Sequence, residues 1–423
     1  MSGASPQVSD AIHRRTACRL CDSSSLTLGM SLAPTPLANA LVPPEALEVE
    51  EPRFPLDVYV CDGCGHAQLL DIVQPSLMFS HYLYVSGTSP VFVKYLDAYA
   101  ASVVDEFGIA PGSFVLEIGS NDGTLLKAFQ RRGMEVTGVD PASNIAAQAN
   151  ADGIPTINDF FTADLAARIR EDRGPAAVIA ANNVLAHIDE LGGVMDGIRT
   201  LLAPEGILVF EVSYLVDVCQ KTLFDTIYHE HVSYHAVEPL AGFLDRHGLD
   251  LFHVERVDSQ GGSIRVFAQP RGGSQRRQDS VDVLVALERE VLGVRPVDGV
   301  RRLDGQVAEL RDELVALLAD LRSQGKSVAG YGAPAKATTL MHHFHLGADA
   351  LDFIVEDNAM KQGLFTPGLH IPIVGPDALQ ERRPDYTVVL AWNFADSIIE
   401  RHGRYTAEGG RFITPVPSVT IRP

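Results

Sequence analysis

The densest run of titratable side chains in this chain is Tyr228-His229-Glu230-His231, which continues to Ser233-Tyr234-His235. Taking a proton from a carbon beside a ketone needs a base whose pKa lies near the working pH, and imidazole meets that condition. The enolate so formed needs a hydrogen-bond donor or a nearby cation, which tyrosine or a second histidine supplies. Glu230 is suited to orient an imidazole, as carboxylates do in other histidine-based sites. Two other readings stay open. His229, Glu230 and His231 could ligate a metal, although the H-E-x-x-H helix spacing is missing. The run could also be a hydrogen-bonded surface loop. Taken singly, His187 and Tyr82 read as packed residues.

A second constellation is cysteine. Of five cysteines, four form two tight pairs, Cys18-Arg19-Leu20-Cys21 and Cys61-Asp62-Gly63-Cys64, the latter followed by Gly65-His66. Two intervening residues let both sulfurs of a knuckle face one ion, and two knuckles supply four thiolates at tetrahedral geometry. Four sulfurs leave no open position, so the expected zinc is structural. The long gap between the pairs predicts a zinc-ribbon-like module with an insertion. Cys219 stands alone and reads as a small buried hydrophobe.

A third constellation is the turn Gly119-Ser120-Asn121-Asp122-Gly123. It follows the apolar strand Phe114-Val115-Leu116-Glu117-Ile118 and opens a helix from Thr124 to Arg132. Glycines there let backbone approach a ligand at the carboxyl end of a sheet. The next strand, from Glu135, ends at Asp140, where a carboxylate could grip ribose hydroxyls. The full G-x-G-x-x-G phosphate pattern is missing. The turn resembles instead the E-x-G-x-x-x-G pattern of class I methyltransferases, matched by Glu117, Gly119 and Gly123. That resemblance makes Asn121, Asp140, Asn183 and Leu185 further cofactor contacts. A fourth constellation is Gly330-Tyr331-Gly332-Ala333-Pro334-Ala335-Lys336, read as strand, glycine turn and helix start, where free N–H groups attract phosphate. Strands ending near Asn358 and Asn393 follow. This piece is either a second nucleotide site or a Rossmann-like unit without a ligand. His342, His343 and His345 read as helix surface or a polar rim.

These groups need elements to hold them. Residues 11–75 carry the cysteine pairs and are rich in proline, at Pro34, Pro36, Pro43, Pro44, Pro52 and Pro55. Residues 76–270 begin with a helical pattern around Val91–Phe107. Strands then alternate with helices: Ala177–Ala180 and Gly206–Glu211 are the later strands, and a doubly wound parallel sheet is expected. Arg271–Gln278 reads as a loop. Residues 305–423 begin with a helix from about Val307 to Arg322 and alternate again. The expected class is therefore α/β. Composition is globular, 46% hydrophobic and 21% charged. A net charge of −20 argues against a nucleic-acid partner, whose binding needs clustered cations. No stretch of 18 apolar residues suggests a membrane span, and residues 1–15 lack the apolar core of a secretory signal. A cytoplasmic location is expected.

Taken in order, the cysteine pairs, Glu117 to Gly123, Tyr228 to His231, and Gly330 to Ala333 with Lys336 resemble one family. It is the three-domain sugar C-methyltransferases of antibiotic deoxysugar pathways. The resemblance runs from about Cys18 to Pro417. It implies a zinc module, a class I methyltransferase domain that binds S-adenosylmethionine, and a C-terminal Rossmann-like domain that helps hold a nucleotide-sugar. The implied substrate is a dTDP-linked 4-keto-deoxysugar, methylated beside the keto group. By resemblance, His231 is the leading base, with Tyr228 and His229 as alternatives. Tyr228, Glu230, His187 and Tyr82 would line the pocket, and Tyr331, Lys336, Asn358 and Asn393 would lie near the nucleotide-sugar. The rivals are an O- or N-methyltransferase, an NAD-dependent nucleotide-sugar oxidoreductase, and a non-catalytic zinc-bearing module.

Overall fold

The structure is a computed structural model that describes residues 11–80 and 85–423. Its central sheet has seven strands in the order Leu249–Val257, Ser263–Pro270, Leu202–Ser213, Ala176–Asn182, Phe114–Ile118, Glu135–Val139 and Thr156–Ile157. The last five are mutually parallel, and the first two form an antiparallel hairpin at one edge. All five residues of Phe114–Ile118 are buried. This is why the strand reads as an unbroken apolar run: helices cover both faces of a parallel sheet. One covering helix, Pro90–Glu106, starts with proline in its first turn, and Ser89 Oγ accepts the N–H of Phe92 at 3.3 Å. The helix Thr124–Arg131 leaves directly from the glycine turn.

The cysteine region forms an antiparallel sheet from Leu26–Thr35, Phe54–Cys61 and Ala67–Leu69. Its fourth strand is Ser233–Tyr234, contributed from the segment just after His231. The cysteine module is therefore joined by main-chain bonds to the titratable run. The third sheet lies near the C-terminus, in the order Ile373–Val374, Ile354–Val355, Val328–Tyr331, Tyr386–Val389, Arg411–Thr414 and Thr420–Arg422. Its strands are parallel except the last.

The sequence reading departs from the structure in four places. The helix expected from about Val307 begins at Pro296 and runs to Ser323, preceded by a second helix, Asp279–Leu292. Gly299 and Gly305 weaken the helical pattern, but Gly299 is needed. A Cβ there would lie 2.8 Å from Leu292 Cα, where the two helices meet. The strand expected to reach Phe394 stops at Val389, because Trp392–Phe394 forms a 3-10 turn that aims the indole at Asp225. The strand expected from Asp352 is only Ile354–Val355. His342 and His343 do not form a free polar rim. His342 is buried with Nε2 at 3.0 Å from the Pro367 carbonyl, and His343 Nδ1 accepts the Ala33 N–H at 3.2 Å. His345 is exposed. Among the described residues, no helix is long and apolar enough to cross a membrane.

The two glycines of the long helix should respond oppositely to alanine. Gly305 has open space around it, so Gly305→Ala should raise stability by up to ~1 kcal/mol through helix propensity. Gly299→Ala should lower the unfolding midpoint despite the same propensity gain, because it meets backbone. Thermal unfolding of both variants checks this.

Candidate active site

The two cysteine pairs converge. The sulfurs of Cys18, Cys21, Cys61 and Cys64 all lie within 4.8 Å of one another. Cys18 and Cys64 are 3.7 Å apart, and Cys21 and Cys61 are 3.4 Å apart. Contact with Cys64 draws the Cys18 thiol down to about 5, while burial pushes Cys61 up to about 11. Sulfurs so crowded cannot all ionise unless a cation sits among them, so the donor set fits zinc. Among the described residues no other group of three or more candidate ligands converges. The metal reading of His229, Glu230 and His231 is thereby set aside.

Between Cys18 and Cys21, Arg19 reaches away from the sulfurs. It is only 4% exposed. Its guanidinium donates to the Val232 carbonyl at 2.6 Å, the Leu69 carbonyl at 3.1 Å and Asp189 Oδ1 at 3.0 Å. A buried cation is tolerated only with such partners. Through them the knuckle braces both the residue after His231 and the loop that carries His187. The sequence singled out neither Arg19 nor Asp189. The one available signal was an arginine set between two metal ligands.

The glycine turn is tight for definite reasons. Gly119 has φ +65°, and a Cβ there would lie 2.8 Å from Val184 Cγ2. Gly123 has φ +74° and abuts Ile154, and Asn121 also takes a positive φ. Asp140 ends its strand with both oxygens accepting main-chain N–H groups, from Asn121 and Ala142, each at 2.9 Å. It fixes the turn as well as facing it. Glu117 is buried, and Oε2 has no hydrogen-bond partner. Burial, with Asp122 and Asp140 nearby, holds its pKa well above the usual carboxylate range. Both amide atoms of Asn182 and the Tyr99 hydroxyl are likewise buried without a well-formed hydrogen bond, with Asn182 set beside both Tyr99 and Glu117. Orphaned polar atoms of this kind are rare in a finished core. They fit a ligand with its own polar end, as the amino-acid end of S-adenosylmethionine is. Asn183, at φ +54°, and Leu185 follow on the loop after Ala176–Asn182. The turn Ser86–Thr88 closes on the same place, with Ser86 N–H donating to Asn121 Oδ1 at 2.9 Å and Gly87 N–H to Asp122 Oδ2 at 3.1 Å.

The same loop leads to the histidines. His187 stacks between Phe79, at 5.5 Å between ring centroids, and His231, at 5.0 Å. Tyr228 lies against the other side of His231 at 4.2 Å. The His231 ring is set by Nδ1, which lies 2.7 Å from the Thr226 carbonyl. A carbonyl only accepts, so Nδ1 carries the proton and Nε2 presents a lone pair. Burial pushes the His231 pKa down to about 4, below the near-neutral value expected of a general base from sequence, so the ring is neutral at physiological pH but a weaker base than free imidazole. Glu230 does not orient this ring: its Oε1 accepts from Asn39 Nδ2 at 2.6 Å. His229 turns the other way, its Nε2 reaching the Phe54 carbonyl at 3.2 Å in the cysteine module. The run is not a surface loop, since His229 and Glu230 are buried. Tyr82 lies outside the described residues. Thr226 and Asn39 were not foreseen, and no sequence pattern marks them.

At the third sheet, Lys336 Nζ donates to Asn393 Oδ1 at 2.7 Å and sits 3.5 Å above the Trp392 ring centroid. Burial lowers its pKa to about 8. Asn358 caps its own turn, with Oδ1 accepting the Met360 N–H at 3.0 Å. Tyr331 is placed differently. It is packed in the core, with its hydroxyl taken up by Asp357 at 2.9 Å and His402 at 2.8 Å. Lys336 and Asn393 come together, whereas the Tyr331 hydroxyl is bound to Asp357 and His402 instead.

Gly119→Ala should weaken binding of S-adenosylhomocysteine by at least about tenfold, or ~1.4 kcal/mol, because both its positive φ and Val184 resist a Cβ. Titration calorimetry checks this; unchanged affinity would remove the turn from the cofactor site.

Comparison with known proteins accords with this geometry. Residues 18–79 match a zinc binding domain family, residues 92–254 a methyltransferase domain family, and residues 258–417 the C-methyltransferase C-terminal domain family. The chain is 35% identical to C-methyltransferase NovU of Streptomyces niveus over 97% of this chain and 98% of that one. It is 23% identical to a ubiquinone biosynthesis O-methyltransferase of Colwellia psychrerythraea, over 46% of this chain and 82% of that one. Among solved structures, magnesium protoporphyrin IX methyltransferase of Synechocystis PCC 6803 with bound SAM aligns at TM-score 0.33 and 15% identity, covering 43% of this chain and 79% of that one. The PH0226 protein of Pyrococcus horikoshii OT3 aligns at TM-score 0.36 and 14% identity, covering 44% and 95%. With a full-length relative at this identity and three matching domain families in order, the chain belongs to the S-adenosylmethionine-dependent C-methyltransferases.

Proposed function

We propose that this C-methyltransferase acts on a nucleotide-linked 4-keto-deoxysugar, carried on dTDP, at a carbon beside the keto group. The observation that carries this reading is the His231 tautomer. With Nδ1–H spent on the Thr226 carbonyl, Nε2 is the acceptor, and no described residue holds it. His231 takes the proton, and the C–H electron pair becomes the enolate. Tyr228 and His187, in ring contact with His231, line the pocket where the enolate oxygen forms, and donors there stabilise it. S-adenosylmethionine, held at the Gly119–Gly123 turn, would supply an electrophilic methyl group to the enolate carbon. The imidazolium then returns its proton to solvent.

Glu117, Gly119, Asn121, Gly123, Asp140, Asn183 and Leu185 hold the cofactor in this reading. Glu230 shapes the pocket through Asn39, and Tyr82 joins it on sequence grounds. Lys336 and Asn393 offer a cation and an amide to the anionic carrier, with Asn358 on the neighbouring strand end. Tyr331 ends the strand that leads into the helix carrying Lys336. An O-methyltransferase would need no acidic C–H, which is what separates the two readings.

The test is exchange. In heavy water without methyl donor, the wild-type protein should exchange the proton beside the ketone of a dTDP-linked 4-keto-deoxysugar, read by mass spectrometry. His231→Ala should slow this by about a hundredfold or more. Exchange that persists in His231→Ala would remove His231 as the base. The base is the neutral form, so exchange is lost as pH falls through the folded pKa. A value near 4 means that exchange should persist well below the ordinary histidine range around 6.5. A pH–rate profile falling off at about 6.5 would contradict this setting of His231.

A further inference from the structure

The residue that orients His231 is itself held from outside the methyltransferase sheet. Thr226 ends the 3-10 turn Phe224–Thr226. On one side of it, Asp225 Oδ2 accepts the Trp392 indole N–H at 2.5 Å. On the other side, the Ile227 carbonyl accepts the Thr339 hydroxyl at 2.7 Å. Both donors belong to the C-terminal domain, and the two bonds land on the residues directly before and after Thr226. We propose that the C-terminal domain sets the base by bracketing Thr226, which makes Trp392, Asp225 and Thr339 positioning residues for proton abstraction. This rests on the reading of His231 as the base.

The chemistry of the bracket goes beyond what domain adhesion requires. Asp225 is fully buried, and its Oδ1 has no partner. Burial raises the Asp225 pKa, and the indole N–H, with the Lys336 charge and a backbone N–H, offsets part of that cost, so losing the indole bond leaves the turn less well supported. Thr339 is also fully buried, so its hydroxyl has no water to replace the Ile227 carbonyl. Without these two bonds the Thr226 carbonyl that fixes Nδ1–H of His231 would be placed only by the turn's own bonds to Leu223 and Phe224.

The bracket also carries the rim groups. Lys336 and Thr339 stand three residues apart on the helix Ala335–His343, and so share a face. Asn393 follows Trp392, and the Lys336 ammonium rests on the Trp392 ring. An anion drawn to Lys336 therefore presses on the side chain whose N–H holds Asp225. Binding energy gained far from the reacting carbon is thereby directed into placing the base, where it raises kcat rather than affinity alone.

Two variants separate this from simple substrate holding. Trp392→Phe keeps a ring beneath Lys336 and removes the N–H. Thr339→Val keeps the shape and removes the hydroxyl without touching a buried charge. With a dTDP-linked 4-keto-deoxysugar in heavy water, each should lower kcat for exchange about tenfold or more while KM stays within about twofold. Lys336→Met should lower kcat as well and, unlike the other two, also raise KM. In the substrate-free protein, nitrogen-15 spectra should show His231 losing its single Nδ1–H tautomer in both variants, a readout that needs no accepted sugar. If Trp392→Phe does not fold, Thr339→Val decides. The proposal is overturned if the variants keep both wild-type kcat and the His231 tautomer while His231→Ala abolishes exchange. Exchange retained in His231→Ala would overturn the base assignment instead.

Discussion

The hydrogen bond from His231 Nδ1 to the Thr226 carbonyl decides what this site can do. It selects one of two imidazole tautomers and so leaves the lone pair on Nε2. A carboxylate in the same place would also raise the basicity of the ring and favour its charged form. A carbonyl orients it at less electrostatic cost, and burial keeps it neutral. Much of the surrounding structure can be understood as protection for that single bond.

Three parts of the chain converge on residues 225–235. The cysteine module takes Ser233–Tyr234 as a strand of its own sheet, and Arg19 adds a buried guanidinium bond to the Val232 carbonyl. The methyltransferase loop contributes the Ala186 carbonyl, which accepts the Val232 N–H at 2.9 Å and sets His187 beside His231. The C-terminal domain holds Asp225 and Ile227. A seven-stranded sheet alone can position a cofactor, but the histidine proposed as the base is held by segments from all three parts of the chain. A zinc ion held by the four cysteines would brace the knuckle from which Arg19 extends without touching substrate.

Much of this was legible in the sequence. The strand Phe114–Ile118 and its glycine turn declare themselves because burial on both faces demands an unbroken apolar run and a positive φ demands glycine. The cysteine pairs announce a tetrahedral site by spacing alone. What stayed hidden depends on distant chain segments meeting. Nothing near His231 marks the Thr226 main-chain oxygen as its partner, and Glu230, the evident choice by adjacency, binds Asn39 instead. His342 and His343 read as surface because their helix is polar in sequence, whereas the cysteine module and the Thr366–His370 turn cover them. Trp392 read as the end of a strand because an apolar run gives no sign that its indole must turn toward a carboxylate in another domain.

The account stands or falls on where His231 Nε2 points when the pocket is filled. A crystal structure with S-adenosylhomocysteine and a dTDP-linked 4-keto-deoxysugar would measure this directly. It should place Nε2 about 3–3.5 Å from the carbon beside the keto group, with the cofactor sulfur on the far side of that carbon and its polar ends at Glu117 and Asp140. A complex with Nε2 turned away from the sugar, or with the cofactor bound elsewhere than the Gly119–Gly123 turn, would contradict it.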